Sequence, residues 1–169
     1  MKIIIVRHGL TVENKLGICQ GQTEGQLSRE GILENERLSF ELKDTPIDVF
    51  YSSTLSRARQ TLSQIIKFHR EKPYFLDSRL IEWGMGPWEG NPCPENDNFY
   101  ENLDSIETFK EVKNRCASFF NHIKEKHPKQ TVLVVSHGLT IRMMESIILK
   151  VNFNEVIPLK NSTIKTFIL

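Results

Sequence analysis

Two runs of consecutive apolar residues interrupt an otherwise mixed pattern, and both end in the same way. Ile3-Ile4-Ile5-Val6 leads into Arg7-His8-Gly9, and Val132-Leu133-Val134-Val135 leads into Ser136-His137-Gly138. Apolar runs of this length without alternation suit strands covered on both faces, as in a parallel sheet. In open α/β sheets, ligands bind beyond the carboxyl ends of the strands. The pattern predicts strands over residues 2–6 and 131–135, with two imidazoles brought together at neighbouring strand ends. In a chain with only five histidines, the repeated ending points to a site.

Between and around these runs the pattern alternates. Ser28 caps a helix to about residue 43, with Ile32, Leu33, Leu38 and Leu42 as its apolar face. Asp44-Thr45-Pro46 ends it, and residues 47–51 form a short strand. Ser53 or Thr54 caps the next helix, which carries Leu55, Ala58, Leu62, Ile65 and Ile66 on one side. Residues 73–76 form another short strand. Asp104-x-x-Glu107 resembles a capping box for a long helix with the stripe Ile106, Phe109, Val112, Cys116, Phe119, Phe120 and Ile123, closed by Pro128. A helix over about 140–149 and a strand over 163–169 complete the chain. Residues 9–27 read as an ordered functional loop. Residues 84–104 lack periodicity and read as a surface loop placed to act as a substrate lid. The alternation predicts a mostly parallel, three-layer α/β/α sandwich.

Composition narrows the function classes. At 169 residues the expectation is a single domain over 1–169 with a substantial core. A net charge of +1 gives no case for nucleic acid or an anionic membrane as partner. No apolar run approaches a membrane span, and no signal-peptide pattern precedes the first strand. Cys19, Cys93 and Cys116 are odd in number and scattered, without CxxC. This argues against a disulfide framework or a zinc site and for a reducing cytoplasm.

The candidate chemistry gathers at strand ends and one helix start. Arg57 and Arg59 occupy a first turn where the helix dipole favours anions. Arg57 there is reconciled with the dipole by a bound anion, whereas Arg59 reads as a solvated arginine. Arg7, Arg57 and His137 can supply cationic donors, and arginine's planar fork suits phosphate oxygens. His8 can attack phosphorus, because flanking cations disfavour the imidazolium and keep it neutral. His8 and His137 as metal ligands is the rival reading. Adjacent guanidinium groups repel a divalent ion, and no carboxylate–histidine cluster of familiar spacing accompanies them, so neither metal nor cofactor is expected. His69, His122 and His127 read as solvent-exposed. From the residues alone, Glu82 is either a surface carboxylate or a proton donor, with Glu89 its competitor.

These residues carry a resemblance. Arg7-His8-Gly9 with Thr11 and Asn14, Gln20-Gly21, Leu27-Ser28 with Gly31, Ser52-Ser53-x-Leu55-x-Arg57-Ala58-x-Gln60-Thr61, Leu80-Ile81-Glu82 with Gly86-x-Trp88-Glu89-Gly90, Ser136-His137-Gly138 and Asn161-Ser162 follow in the order seen in the histidine phosphatase superfamily. The chain resembles this phosphoglycerate mutase-like family along its length. The resemblance implies that His8 is the nucleophile, that Arg7, Arg57 and His137 form a phosphate pocket and that Glu82 donates the proton. It further implies that Asn14 lines the pocket, that Gln20, Gly21 and Thr23 belong to a substrate-contacting loop, and that Glu89 is structural.

Three functions are compatible with it. The first is a metal-independent phosphatase acting on a small phosphorylated metabolite through a phosphohistidine on His8. The second is a phosphoglycerate-type mutase, disfavoured because such mutases carry an asparagine-glutamate-arginine run where this chain has Ile81-Glu82-Trp83. The third is a phosphoprotein (phosphohistidine) phosphatase or a binding module. Acidic Glu89, Glu95 and Asp97 in and near the loop disfavour a multiply phosphorylated substrate. Substrate identity and oligomeric state are not written in the pattern.

Overall fold

The computed structural model describes residues 1–93 and 107–169. Its strands are β1 (Lys2–Arg7), β2 (Val49–Ser52), β3 (Tyr74–Leu76), β4 (Thr131–Ser136) and β5 (Ile164–Ile168). They form one sheet in the order β3-β2-β4-β1-β5. All pairings are parallel except β5, which returns antiparallel beside β1. The α-helices of the described residues are α1 (Val12–Lys15), α2 (Arg29–Glu41), α3 (Ser56–Ile65), α4 (Phe109–Lys126) and α5 (Gly138–Leu149).

The three layers follow from the period of two along the strands. Ile4, Val6, Phe50, Leu133 and Val135 pack against Leu38 and Leu42 at α2 and Ala58, Leu62 and Ile65 of α3. Ile3, Ile5, Val49, Tyr51, Val132 and Val134 face the other way, onto Val112, Cys116, Phe119, Phe120 and Ile123 of α4 and Ile141, Met143 and Met144 of α5. Both faces of the central strands are therefore covered, which is why their apolar runs do not alternate. Each such side chain contributes about 1.5–3 kcal/mol relative to an exposed one. The edge strand β3 is three residues long, and its side chains are exposed.

Several local expectations need correction. On α2, Ile32 and Leu33 are exposed, and the inner face is Gly31, Asn35, Leu38 and Ser39. The N-terminal half of α2 lies against main chain rather than core: a Cβ on Gly31 would sit 2.1 Å from the Leu10 carbonyl oxygen. The α3 N-cap is Leu55, with no side-chain cap. Its free N–H groups find acceptors elsewhere: Leu55 N–H donates to Ser53 Oγ at 3.2 Å, and Ser56 N–H donates to Glu24 Oε2 at 2.8 Å.

The long helix α4 begins at Phe109, capped by Thr108 and Glu111 in a reciprocal capping box. Asp104 and Ile106 lie outside the described residues, and Glu107 is engaged with Arg115. Helix α5 starts at Gly138, two residues before its predicted start. The short α1, also opened by a capping box (Thr11 and Asn14), was not predicted. His69, His122 and His127 are half-buried rather than solvent-exposed: His127 Nε2 lies 2.9 Å from the Tyr51 hydroxyl, and His69 Nε2 lies 3.1 Å from Leu42 O.

Of the expected lid, residues 84–93 hold a 3₁₀ turn at Gly86–Trp88 and a bridge between Pro92 and Ile18. The rest, with Glu95 and Asp97, lies outside the described residues. Among the described residues, no helix is long and apolar enough to cross a membrane.

Candidate active site

The register of β1 on β4 builds the centre of the site. Arg7 lies opposite Ser136, and the His8 amide donates to Ser136 O at 3.0 Å. One residue further, the His8 and His137 rings stand with centroids 5.0 Å apart, both buried. His8 Nδ1 is 2.8 Å from the Gly9 carbonyl oxygen. A carbonyl can only accept, so Nδ1 carries the proton and Nε2 keeps its lone pair. Burial, then the positive charges of Arg57 and Arg7, hold the His8 pKa well below its ordinary value, against the opposing effect of the Gly9 bond. The ring is thus neutral, with its unprotonated nitrogen fixed at Nε2.

The main chain at His8 is clamped by Thr61, Asn161 and Ser162, which the resemblance quotes without a role, and by Asn35, which the sequence reading did not single out. Gly9 N–H donates to Thr61 Oγ1 at 2.9 Å, and Asn35 Nδ2 donates to the same oxygen at 3.1 Å. Ser162 Oγ donates to Asn35 Oδ1 at 3.0 Å, and Asn161 Nδ2 donates to His8 O at 3.0 Å. The available signal was an asparagine on the inner face of α2 between apolar positions.

Arg57, 1% exposed, turns inward from the first turn of α3. Its Nη1 donates to Thr23 O and its Nη2 to Gly21 O, each at 2.7 Å, and its Nε donates to His137 Nδ1 at 3.2 Å. Arg59 is exposed, as expected. Because His137 Nδ1 accepts, its proton sits on Nε2, which donates to Ser53 Oγ at 2.7 Å. Burial, followed by His8 and the arginines, holds the His137 pKa well below the ordinary value. The expectation of a cationic His137 is therefore corrected: the ring is neutral, with both nitrogens bonded to protein.

Arg7 Nη1 donates to Leu159 O at 2.7 Å, while its buried Nε has no partner among the described residues. Its guanidinium crosses the start of α5, where a Cβ on Gly138 would approach Arg7 Cζ to 3.2 Å. Burial lowers the pKa of both Arg7 and Arg57, and Glu82 opposes the shift in each case.

Glu82 sits at the N-terminus of α5. Its Oε1 accepts from Trp83 N–H at 2.9 Å and Thr140 N–H at 3.0 Å, and its Oε2 accepts from Leu139 N–H at 3.2 Å. This places the carboxylate two residues from His137 and within the field of both arginines. Glu89 is turned elsewhere: its Oε1 accepts from Gln22 N–H and Met85 N–H, each at 2.9 Å.

The loop residues contribute differently from one another. Asn14 Oδ1 accepts from Thr11 N–H and Asn161 Nδ2, each at 3.3 Å. Gln20 turns its buried amide away, with Nε2 donating to Thr11 Oγ1 at 2.5 Å and Glu13 Oε2 at 3.0 Å. Thr23 Oγ1 donates to Gln20 O at 2.6 Å, so Gly21 and Thr23 meet the site through the carbonyls that hold Arg57. Among the described residues, no three His, Cys, Asp or Glu side chains gather as a metal-ligand set.

Comparison with known proteins gives the family and the fold. The family model for the histidine phosphatase superfamily (branch 1) matches residues 3–168. Phosphoserine phosphatase 1 of Hydrogenobacter thermophilus is 29% identical, over 92% of this chain and 79% of its own length. The phosphatase PhoE of Bacillus subtilis is 30% identical, over 84% of this chain and 74% of its own. The crystal structure of an Entamoeba histolytica phosphoserine phosphatase variant with phosphoserine superimposes with a TM-score of 0.84 at 26% identity, over 99% of this chain and 90% of that one. The chain belongs to the histidine phosphatase superfamily, branch 1, as a phosphoric monoester hydrolase.

Proposed function

We propose that the protein is a metal-independent phosphatase that hydrolyses a small phosphomonoester through a phosphohistidine on His8. The observation that carries this reading is the neutral, Nδ1-protonated His8, whose Nε2 lone pair is held beside two guanidinium groups. Arg7 and Arg57 neutralise the phosphoryl oxygens. Nε2 attacks phosphorus as the bond to the leaving oxygen breaks, and Glu82 gives that oxygen its proton. Glu82 then takes a proton from water, whose oxygen attacks phosphorus, frees inorganic phosphate and restores His8. Asn14, Gly21 and Thr23 border the substrate side of this single domain, the last two through the carbonyls that hold Arg57, and Gln20 braces the same loop through Thr11 and Glu13. Free Cys19, Cys93 and Cys116 suit a cytoplasmic enzyme.

Relatives named for phosphoserine make phosphoserine the first substrate to try within a panel of phosphorylated metabolites. Base quenching during turnover should trap an acid-labile, alkali-stable phosphate on His8, and a strong chelator should leave the rate intact. His8→Ala should abolish turnover and trapping alike. Full activity in that variant, or strict dependence on a divalent ion, overturns the reading. With 3-phosphoglycerate and a bisphosphoglycerate primer we expect inorganic phosphate or no reaction. Efficient isomerisation would establish the mutase instead, despite the fully buried Trp83 that follows Glu82.

A further inference from the structure

Glu82 is held by an ion pair that no motif marked. Arg115, on α4, engages Glu107 twice, with Nε to Oε1 at 2.6 Å and Nη2 to Oε2 at 3.0 Å. Its remaining donors go to the main chain that carries Glu82. Nη1 donates to Arg79 O and Ile81 O, each at 2.8 Å, and Nη2 donates to Glu82 O at 3.2 Å. A longer contact of 3.4 Å reaches Thr140 Oγ1, which lies 3.1 Å from Glu82 Oε1. Glu107 completes the clamp from the other side. Its Oε2 accepts Gly84 N–H at 3.0 Å, and its own N–H donates to Gly84 O at 2.9 Å.

We infer that Arg115 is a positioning residue, working with Glu107, that sets where the Glu82 carboxylate meets the leaving oxygen. The inference rests on Glu82 as proton donor. A largely buried ion pair is a poor device for stability, since an apolar replacement of similar volume is often as stable. A fork that reaches three carbonyls and a carboxylate is instead a geometric device, and lysine cannot reproduce it. Misplacement of a reacting group by about 1 Å can cost on the order of 10²-fold in rate.

The test compares single-turnover phosphorylation by an alkyl phosphate (β-glycerol phosphate or phosphoserine) and by p-nitrophenyl phosphate, whose leaving group hardly needs a proton. Arg115→Lys should lose about 10- to 100-fold on the alkyl phosphate and much less on the nitrophenyl ester. The ratio of the two rates, taken on one preparation, cancels any unfolded fraction. Adding Arg115→Lys to Glu82→Gln should bring no further selective loss, because the two changes act through one carboxylate. Glu107→Gln should show the same selectivity more weakly, and it decides the matter should Arg115→Lys fail to fold. Selective loss in Glu82→Gln with equal losses in the Arg115 and Glu107 variants overturns the positioning role alone. Equal losses on both substrates in Glu82→Gln remove the proton donor and this inference together.

Discussion

Arg57 Nε donates to His137 Nδ1 at 3.2 Å, and this bond sets the state of the second imidazole. With Nδ1 accepting, His137 must protonate Nε2, the nitrogen that Ser53 Oγ receives. Arg57 in turn is aimed by the carbonyls of Gly21 and Thr23. The loop, the helix start and the end of β4 thus share one guanidinium. Of its five N–H donors, three are committed to these acceptors among the described residues.

Arg57→Lys should therefore fail twice. An ammonium cannot reproduce the fork that serves all three acceptors, and the buried Gly21 carbonyl left unpaired costs about 1–3 kcal/mol. We expect a lowered Tm together with a fall in kcat on the order of 10²-fold, the scale for loss of one preorganised donor to a developing charge. Thermal melts and steady-state kinetics check both, and a wild-type kcat would show that Arg57 does not reach the phosphoryl group.

Glu82 and Glu89 should separate cleanly. Glu82→Gln removes the transferable proton, so an alkyl phosphate should lose about 10²- to 10⁴-fold in the phosphorylation step and p-nitrophenyl phosphate far less. Glu89→Gln keeps the oxygen that receives the Gln22 and Met85 amides, so it should show no leaving-group selectivity. Selectivity in Glu89→Gln would transfer the acid role to that residue.

The two buried histidines predict a pH dependence with a definite sign. Their folded pKa values lie below that of an unfolded histidine, about 6.5. Above that pH neither state binds the proton, and the rings do not affect stability. Below it the unfolded chain takes up protons that the buried rings refuse, so stability falls as pH falls, by up to about 1.4 kcal/mol per unit for each ring. Urea midpoints between pH 7.5 and 5.5 should decline more steeply for the wild type than for His8→Gln. Parallel slopes would mean that His8 titrates in the folded protein as it does in the unfolded chain.

Gly31→Ala should run against the usual helix preference. Alanine ordinarily favours a helix interior by about 1 kcal/mol over glycine. Here the added Cβ would sit 2.1 Å from the Leu10 carbonyl oxygen, which is main chain and can move only with the loop. We expect a net loss of about 1–3 kcal/mol, as for overpacking, read from urea denaturation. A stabilised variant would place α2 farther from the loop.

The helix containing Gly31 shows how periodicity can find an element and miss its inner side. The spacing of Ile32, Leu33, Leu38 and Leu42 predicted a helix, and α2 is there. Yet the first two are exposed, while Asn35 is buried to serve Thr61 and Ser162. Periodicity reports that a helix has an inner face, but not that part of that face meets polar main chain. The capping box was displaced for a related reason: Thr108 and Glu111 have the same pattern as Asp104 and Glu107, and Glu107 is taken by Arg115.

By itself the amino-acid sequence determined the strands, their order of burial and the His-Gly endings, because a β-branched apolar run has one favourable place, between two layers. It also named Arg7, His8, Arg57, Glu82 and His137, which the structure gathers at the ends of β1 and β4 and the starts of α3 and α5. Only the tertiary structure decided which nitrogen of His8 is free, that His137 is neutral, and that Glu82 rests on the first turn of α5 under the clamp of Arg115. Those properties depend on burial and on partners far apart in the chain, such as Ser53 with His137 and Arg115 with Ile81. No local pattern of residues encodes a hydrogen bond between atoms that only folding brings together.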